Sequence, residues 1–194
     1  AVHRPDLLIS TVPLKNPLVP TVCVTPLFTE QDRSILETEL KRLADQESDQ
    51  RCHPILRTLL KPELIQLDVD ARDPNQVIEL LAEELQKQGY VRQGYAESAL
   101  AREQLSSTYI GGGVSIPHGL TDYIQKSAVA VARLKHPIHW TGNHVFLIFM
   151  PAVKWSEKEK AERMFVELAE LVENPPLLNR LRKADSITQF LGEL

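Results

Sequence analysis

The spacing of apolar positions changes several times along the chain, and each change marks an element. Residues 6–12, DLLISTV, and 21–25, TVCVT, are short β-branched runs that predict strands, with Pro13, Pro17 and Pro20 between them. From Thr29, a capping residue type, the spacing turns helical. Ile35, Leu36, Leu40 and Leu43 form one stripe of a helix running to about Ala44. Residues 45–54, DQESDQRCHP, lose all periodicity and end in proline, which predicts a linker. Alternation returns at 64–70, LIQLDVD, as a strand. In the following Asp73-Pro74-Asn75-Gln76, aspartate caps a helix, proline takes its first position and glutamine reaches back. That helix runs to about Gln88, and Gly89 suits its C′ position.

A further helix is predicted from about Ala96 to Leu105, after which a glycine run leads into the strand VSI, residues 114–116. AVAVARL, 128–134, and VFLIFM, 145–150, are near-continuous apolar strands of the kind covered on both faces. Ser156 with Glu159 predicts a capping box on a long helix carrying Met164, Phe165, Leu168, Leu171 and Val172. Asn174-Pro175-Pro176 stops that helix before one or two short ones. This order of elements predicts an α/β fold with a central mixed β-sheet flanked by helices, preceded by a partial α/β segment. The expected division is 1–46, a partial segment of two strands and a helix; 47–58, a linker; and 59–194, the main domain. The first segment is too small for a core of its own, so it is expected to be part of a domain.

Composition narrows the class. The 194 residues are 43% hydrophobic and 25% charged, with a net charge of −4 and lysines and arginines spread along the chain. Nothing in this charge pattern favours nucleic-acid binding. The longest apolar run, residues 145–153, is about half of the roughly 20 residues a membrane-spanning helix needs, so it predicts a buried strand and no membrane contact. The chain opens without a start methionine or a charged-then-apolar leader, as though entering the middle of something, and a cytoplasmic protein is expected. Cys23 and Cys52 are expected to be reduced and mostly buried thiols.

The chemistry centres on residues 111–119, GGGVSIPHG. Proline fixes its own φ and holds the preceding residue extended, so Ile116-Pro117 ends a strand and presents His118 at a defined angle at a sheet edge. The glycines upstream allow backbone amides to approach an anion. The stretch lacks the Gly-Lys-Ser/Thr ending of a nucleotide-binding loop. Residue chemistry alone leaves His118 as either a surface or capping residue or a phosphoryl acceptor. Arg102, on the helix just before, carries the planar fork that suits a phosphoryl dianion. A second possibility is a zinc site from His136, His139 and His144 in KHPIHWTGNH, against which stand the lack of an acidic or cysteine partner and the segment's place as a polar link between strands. Trp140 and Trp155 are expected to pack at the ends of the last strand.

Residues 100–119, LAREQLSSTYIGGGVSIPHG, resemble the active-site segment of the fructose/mannitol-type enzyme IIA domains of the bacterial phosphoenolpyruvate-dependent sugar phosphotransferase system. The resemblance rests on the arginine-glutamate pair before a Ser-Thr turn, the glycine step and the Pro-His-Gly ending, and it covers about residues 59–194. It implies that His118 takes a phosphoryl group on Nε2 from the phosphocarrier protein HPr, with no cofactor and no metal, and passes it to a cysteine of a IIB domain where one is present. It also makes Arg102 the active-site arginine. Ser107, Thr108, Gly113 and Ser115 are then expected to cradle the phosphoryl group. One departure stands out: Arg163 occupies the place on the long helix where a second family histidine is expected. An arginine only donates hydrogen bonds, so it is expected to grip phospho-His118 and slow onward transfer.

The first 45 residues resemble the trailing half of a galactitol-type IIB-like domain, without the half that carries its cysteine; Cys23 lies in a strand and does not take that role. A IIB-like module before a IIA module resembles the C-terminal end of phosphotransferase-regulated transcriptional regulators. Contact with DNA or RNA would then come only through N-terminal domains outside this sequence, and a homodimer of the full-length regulator would be compatible with it.

Overall fold

A computed structural model describes residues 7–14, 17, 19–50 and 53–194. Cys52, residue 6 of the first expected strand and the side chain of Leu43 lie outside the described residues. The chain divides into two compact units, Ala1–Arg51 and Cys52–Leu194.

In the first unit, β1 (Leu8–Ser10) and β2 (Thr21–Cys23) pair in parallel, Leu8 opposite Thr21, and α1 spans Glu30–Gln50. Thr29 caps α1 as expected, in exchange with Asp32: the Asp32 carboxylate accepts from Thr29 N at 2.8 Å, and Asp32 N donates to Thr29 Oγ1 at 3.4 Å. Asp32 also accepts from the Thr25 hydroxyl at 2.5 Å and from Thr25 N at 3.1 Å, tying the end of the β2 segment to the start of α1. These donors, the Thr25 hydroxyl foremost, pull the Asp32 carboxyl down to about 2.

Helix α1 does not stop near Ala44 but continues to Gln50. The backbone stays helical past the point where the apolar stripe ends, and earlier in the helix the pairs Arg33–Glu37 at 2.9 Å and Arg42–Glu39 at 2.6 Å support it. The stripe itself is uncovered at Ile35 and Leu40, each about half exposed at 53% and 49%. Cys23 is exposed rather than buried, because Val22 and Val24, its neighbours in the alternation, take the inner face.

The second unit begins with α2 (Pro54–Leu59), so the stretch expected as a linker is helical over most of its length. Then come β3 (Leu60–Val69), α3 (Pro74–Lys87), α4 (Tyr95–Leu105), β4 (Tyr109–Gly111), β5 (Val114–Ser115), β6 (Ala128–Trp140), β7 (Asn143–Ala152), α5 (Lys158–Val172), α6 (Pro175–Lys183) and α7 (Ile187–Gly192). The sheet order is β3-β6-β7-β5-β4. Pairs β3/β6 and β5/β7 are parallel, while β6/β7 and β4/β5 are antiparallel, which is the mixed sheet expected.

Alternation along the two central strands builds both layers. Ala128, Ala130, Ala132, Ile148 and Met150 face α3 and α4, where they meet Val77, Ile78, Leu81, Leu85, Tyr95 and Ala99. Val129, Val131, Leu147 and Phe149 face the other way, onto Leu56 of α2, Met164, Leu168 and Leu171 of α5, Leu181 of α6 and Phe190 of α7. Apolar residues on both faces explain why these strands read as near-continuous apolar runs, broken within 128–134 by the buried Arg133.

The caps at Asp73 and Gln76 form as predicted: Gln76 N donates to Asp73 Oδ1 at 3.0 Å and Arg72 N to Gln76 Oε1 at 3.1 Å. Ser156 does not cap α5. A 3-10 turn, Trp155–Glu157, precedes the helix, whose first residue follows Glu157 without a side-chain cap. The start of α2 is instead capped from a distance, by buried Glu167 of α5, which accepts from Ile55 N at 3.1 Å and Leu56 N at 2.7 Å.

The expected link at 136–144 is strand. β6 and β7 run on into a hairpin closed by Thr141 (φ 47°) and Gly142 (φ 85°), the two left-handed positions of a tight turn. His139 and His144 face each other across that hairpin with ring centroids 6.3 Å apart. Among the described residues no group of three His, Cys, Asp or Glu side chains could hold a metal ion. No described helix is long and apolar enough to cross a membrane.

Candidate functional site

Strand β5 is short because Pro117, buried, cannot donate to the ladder; the last bond before it runs from Ile116 N to Thr108 O at 3.0 Å. The chain then turns out, and His118 sits half-buried at the sheet's edge. Its Nδ1 lies 2.9 Å from the Ile116 carbonyl oxygen. A carbonyl only accepts, so Nδ1 carries the proton and the neutral ring keeps its lone pair on Nε2. The His118 and Phe165 rings pack edge-to-face, their planes at 66° and their centroids 6.3 Å apart.

The imidazole opens into a cleft of about 180 Å³. Ile124, Pro151, Val153 and Met164 form its apolar wall, and Lys154, Trp155, Lys158, Ala161 and Phe165 complete the side formed by the start of α5 and the turn before it. Trp155 is 74% exposed here, which corrects the expectation that it packs at the strand end; Trp140 is fully buried there as expected.

Gly119 lets the loop lie flat on α4. A Cβ at that position would stand 2.4 Å from Ser98 Oγ and 2.8 Å from the Tyr95 ring. Neither neighbour yields easily. Tyr95 is fully buried and donates its hydroxyl to Pro151 O at 2.6 Å, with burial pushing the phenol far above its ordinary range so that it stays a neutral donor. Ser98 Oγ donates to Tyr95 O at 2.8 Å and accepts from Leu120 N at 3.1 Å.

Arg102 stands one turn beyond Ser98 on the same face of α4, the face against which this loop packs. Its Nη1 donates to Ser106 O at 2.9 Å. The β4/β5 register brings residues 106 and 107 to the end of the sheet where His118 lies. Glu103, beside Arg102, binds the turn from within: it accepts from Thr108 N at 3.1 Å, from the Thr108 hydroxyl at 2.5 Å and from Trp140 Nε1 at 2.7 Å. Sequence reasoning noted Glu103 only as part of a pair; an acid ahead of Ser-Ser-Thr was the available signal.

Other expected members of the site sit elsewhere. Thr108 and Ser115 are buried, and their hydroxyls are 3.0 Å apart, so they hold the loop's interior rather than a phosphoryl surface. Ser107 Oγ accepts from Tyr109 N at 3.3 Å in a local turn. Gly111, Gly112 and Gly113 all have positive φ (111°, 57° and 78°), and a Cβ on Gly113 would meet the Phe146 ring at 2.6 Å. This turn opens β5 and His118 lies past its other end, five residues on, or about 16 Å of extended chain. The glycines serve strand packing, not a cradle at the imidazole.

Arg163 is likewise out of place for the role expected of it. At about 100° per residue, Lys158, Ala161 and Phe165 share one strip of α5, and this strip lines the cleft. Arg163 falls about 140–160° around the helix from all three and is exposed on the far flank.

The phosphoenolpyruvate-dependent sugar phosphotransferase system EIIA 2 family matches residues 58–194. The chain belongs to that family. This EIIA chain is 35% identical over 189 residues to the transcriptional regulator ManR of Bacillus subtilis strain 168, a match covering 97% of the chain and 29% of ManR. It is 29% identical over 186 residues to the probable licABCH operon regulator of the same organism, covering 95% of the chain and 28% of that regulator. The EIIA chain thus spans less than a third of the length of either relative. Its fold matches one chain of the Escherichia coli complex of mannitol enzyme IIA with phosphorylated enzyme IIB, with a TM-score of 0.62 at 24% identity, covering 69% of this chain and 95% of that chain.

Proposed function

We propose that this chain is the phosphoacceptor regulatory part of a bacterial transcriptional regulator, reversibly phosphorylated on His118 by phospho-HPr to control a sugar-utilisation operon. The observation that carries the reading is the 2.9 Å contact of His118 Nδ1 with the Ile116 carbonyl, which leaves the Nε2 lone pair at the cleft as the nucleophile. Arg102, one turn from the point where α4 holds the loop, is the cation positioned to swing from Ser106 O toward a bound phosphoryl group. No cofactor is needed, because the donor brings the phosphoryl group already activated.

The likeness to two regulators extends through the first unit as well as the EIIA domain, and this favours a regulator over a permease component. On this reading the parallel β1/β2 pair and α1 are the trailing part of a IIB-like domain, and nucleic-acid contact belongs to other parts of the full-length protein. The second reading, an enzyme IIA relaying phosphate from HPr to a IIB domain, draws on the fold shared with the IIA–IIB complex over about 69% of the chain.

Incubation of the chain with enzyme I, HPr and labelled phosphoenolpyruvate tests the proposal. Acid-labile, base-stable label is expected on the parent and absent from His118→Ala. Unlabelled parent chain, or label retained by the alanine variant, would refute it.

A further inference from the structure

The strip of α5 that faces His118 offers no imidazole, and Arg163 points the other way, yet a phosphoryl dianion in an apolar cleft needs a positive partner on that side. Two lysines line the same cleft as His118. Lys158 is well exposed, with its Nζ 3.5 Å from Glu162 Oε1 on the neighbouring turn. Lys154 is different. Its backbone is pinned twice, through Lys154 N to Ser127 Oγ at 3.1 Å and Glu157 N to Lys154 O at 2.9 Å, and its side chain is half-buried. Its charge acts on Glu157 through space, but Glu157 is already bound by the Ser127 hydroxyl and Lys160. No hydrogen bond or ion pair among the described residues holds the Lys154 ammonium, so it remains a cation on a fixed backbone in the cleft that His118 lines.

Resting on the phosphoacceptor reading above, we propose that Lys154 is the cation that receives the phosphoryl group on His118. In the transfer, the Nε2 lone pair forms the new P–N bond as the donor's P–N bond breaks and its electron pair returns to the donor nitrogen. The proton stays on Nδ1, hydrogen-bonded to the Ile116 carbonyl oxygen throughout, and no proton has to cross the cleft. The ring becomes an imidazolium phosphoramidate, whose phosphoryl oxygens carry the charge that Lys154 meets from the α5 side while Arg102 approaches from α4.

The test uses the whole chain with two donors, phospho-HPr and phosphoramidate, and follows acid-labile label and the ³¹P signal of phosphohistidine. Phosphoramidate carries no protein surface, so its loading rate reads the site alone. Lys154→Met is expected to slow loading from both donors by roughly 10- to 100-fold and to weaken the dependence of the rate on ionic strength, with melting temperature unchanged. Lys154→Arg is expected to recover most of the rate, because it restores the charge but not the shape. Parent-like loading by Lys154→Met would overturn the proposal, as would a loss caused by Lys158→Met in its place. A parent chain that takes no label at His118 would instead sink the phosphoacceptor reading itself, and this assignment with it.

Discussion

Replacing Gly119 with alanine adds one methyl group beside the imidazole and tests whether the loop's flat seat on α4 sets the chemistry. The new Cβ would lie 2.4 Å from Ser98 Oγ and 2.8 Å from the Tyr95 ring, against an ordinary contact of about 3.5–4 Å, so the loop must lift by roughly 1 Å. Tyr95 cannot retreat, because its ring is fully buried and its hydroxyl is bonded to Pro151 O at 2.6 Å. Lifting also stretches the bond from Leu120 N to Ser98 Oγ, now 3.1 Å. Overpacking of this kind costs about 1–3 kcal/mol. For a domain of this size that lowers the melting temperature by about 2–4 °C per kcal/mol. The larger effect falls on transfer, since a displacement of about 1 Å at a reacting group reduces rates by up to 100-fold. The assay is loading of His118 from phospho-HPr beside a thermal melt. Gly119→Ala with the parent's rate and melting temperature would show that the seat does not position the imidazole.

Further expectations follow from single contacts. Glu167→Ala removes the carboxylate that accepts from Ile55 N and Leu56 N in a buried setting, and is expected to cost about 2 kcal/mol by chemical denaturation, with Glu167→Gln intermediate. Asp32 has its pKa depressed to about 2, so its contribution to the first unit is complete above about 3.8 and fades as pH falls toward 2; circular dichroism of α1 should weaken over that window, and Asp32→Asn should remove the dependence. Arg163→Ala is expected to change His118 loading by less than about twofold, because the side chain stands on the flank of α5 away from the cleft; a strong effect would mean that the helix presents another face to the partner.

The physical character of each signal decided how much was legible in the sequence. The central sheet showed itself because strands covered on both faces are almost wholly apolar, and residues 145–150 and, but for Arg133, residues 128–134 are. The cap at Asp73 showed itself because its chemistry is local, three residues reaching one another. The start of α2 was invisible for the opposite reason: its cap, Glu167, lies more than a hundred residues away. The extension of α1 to Gln50 was also hidden, since polar residues without an apolar stripe look like a linker when only periodicity is counted.

At the site, the same distinction separates what the motif showed from what it concealed. Pro117 and Gly119 flank His118 and act through backbone geometry alone, so the outward imidazole could be derived from three adjacent residues. The charge environment could not. On the proposed reading it is assembled from Arg102 on α4 and Lys154 before α5, and these two helices pack on opposite faces of the sheet. Reading the long helix by position along the sequence put Arg163 in the site; reading it by angle around the axis removes it and brings in Lys158, Ala161 and Phe165. A helix offers a site only the residues on one strip, about one in four, so a substitution at the expected position changes the chemistry only if its angle is right. On the assignment proposed above, the cation at His118 comes from the turn ahead of α5, where Ser127 and Glu157 fix the backbone of Lys154.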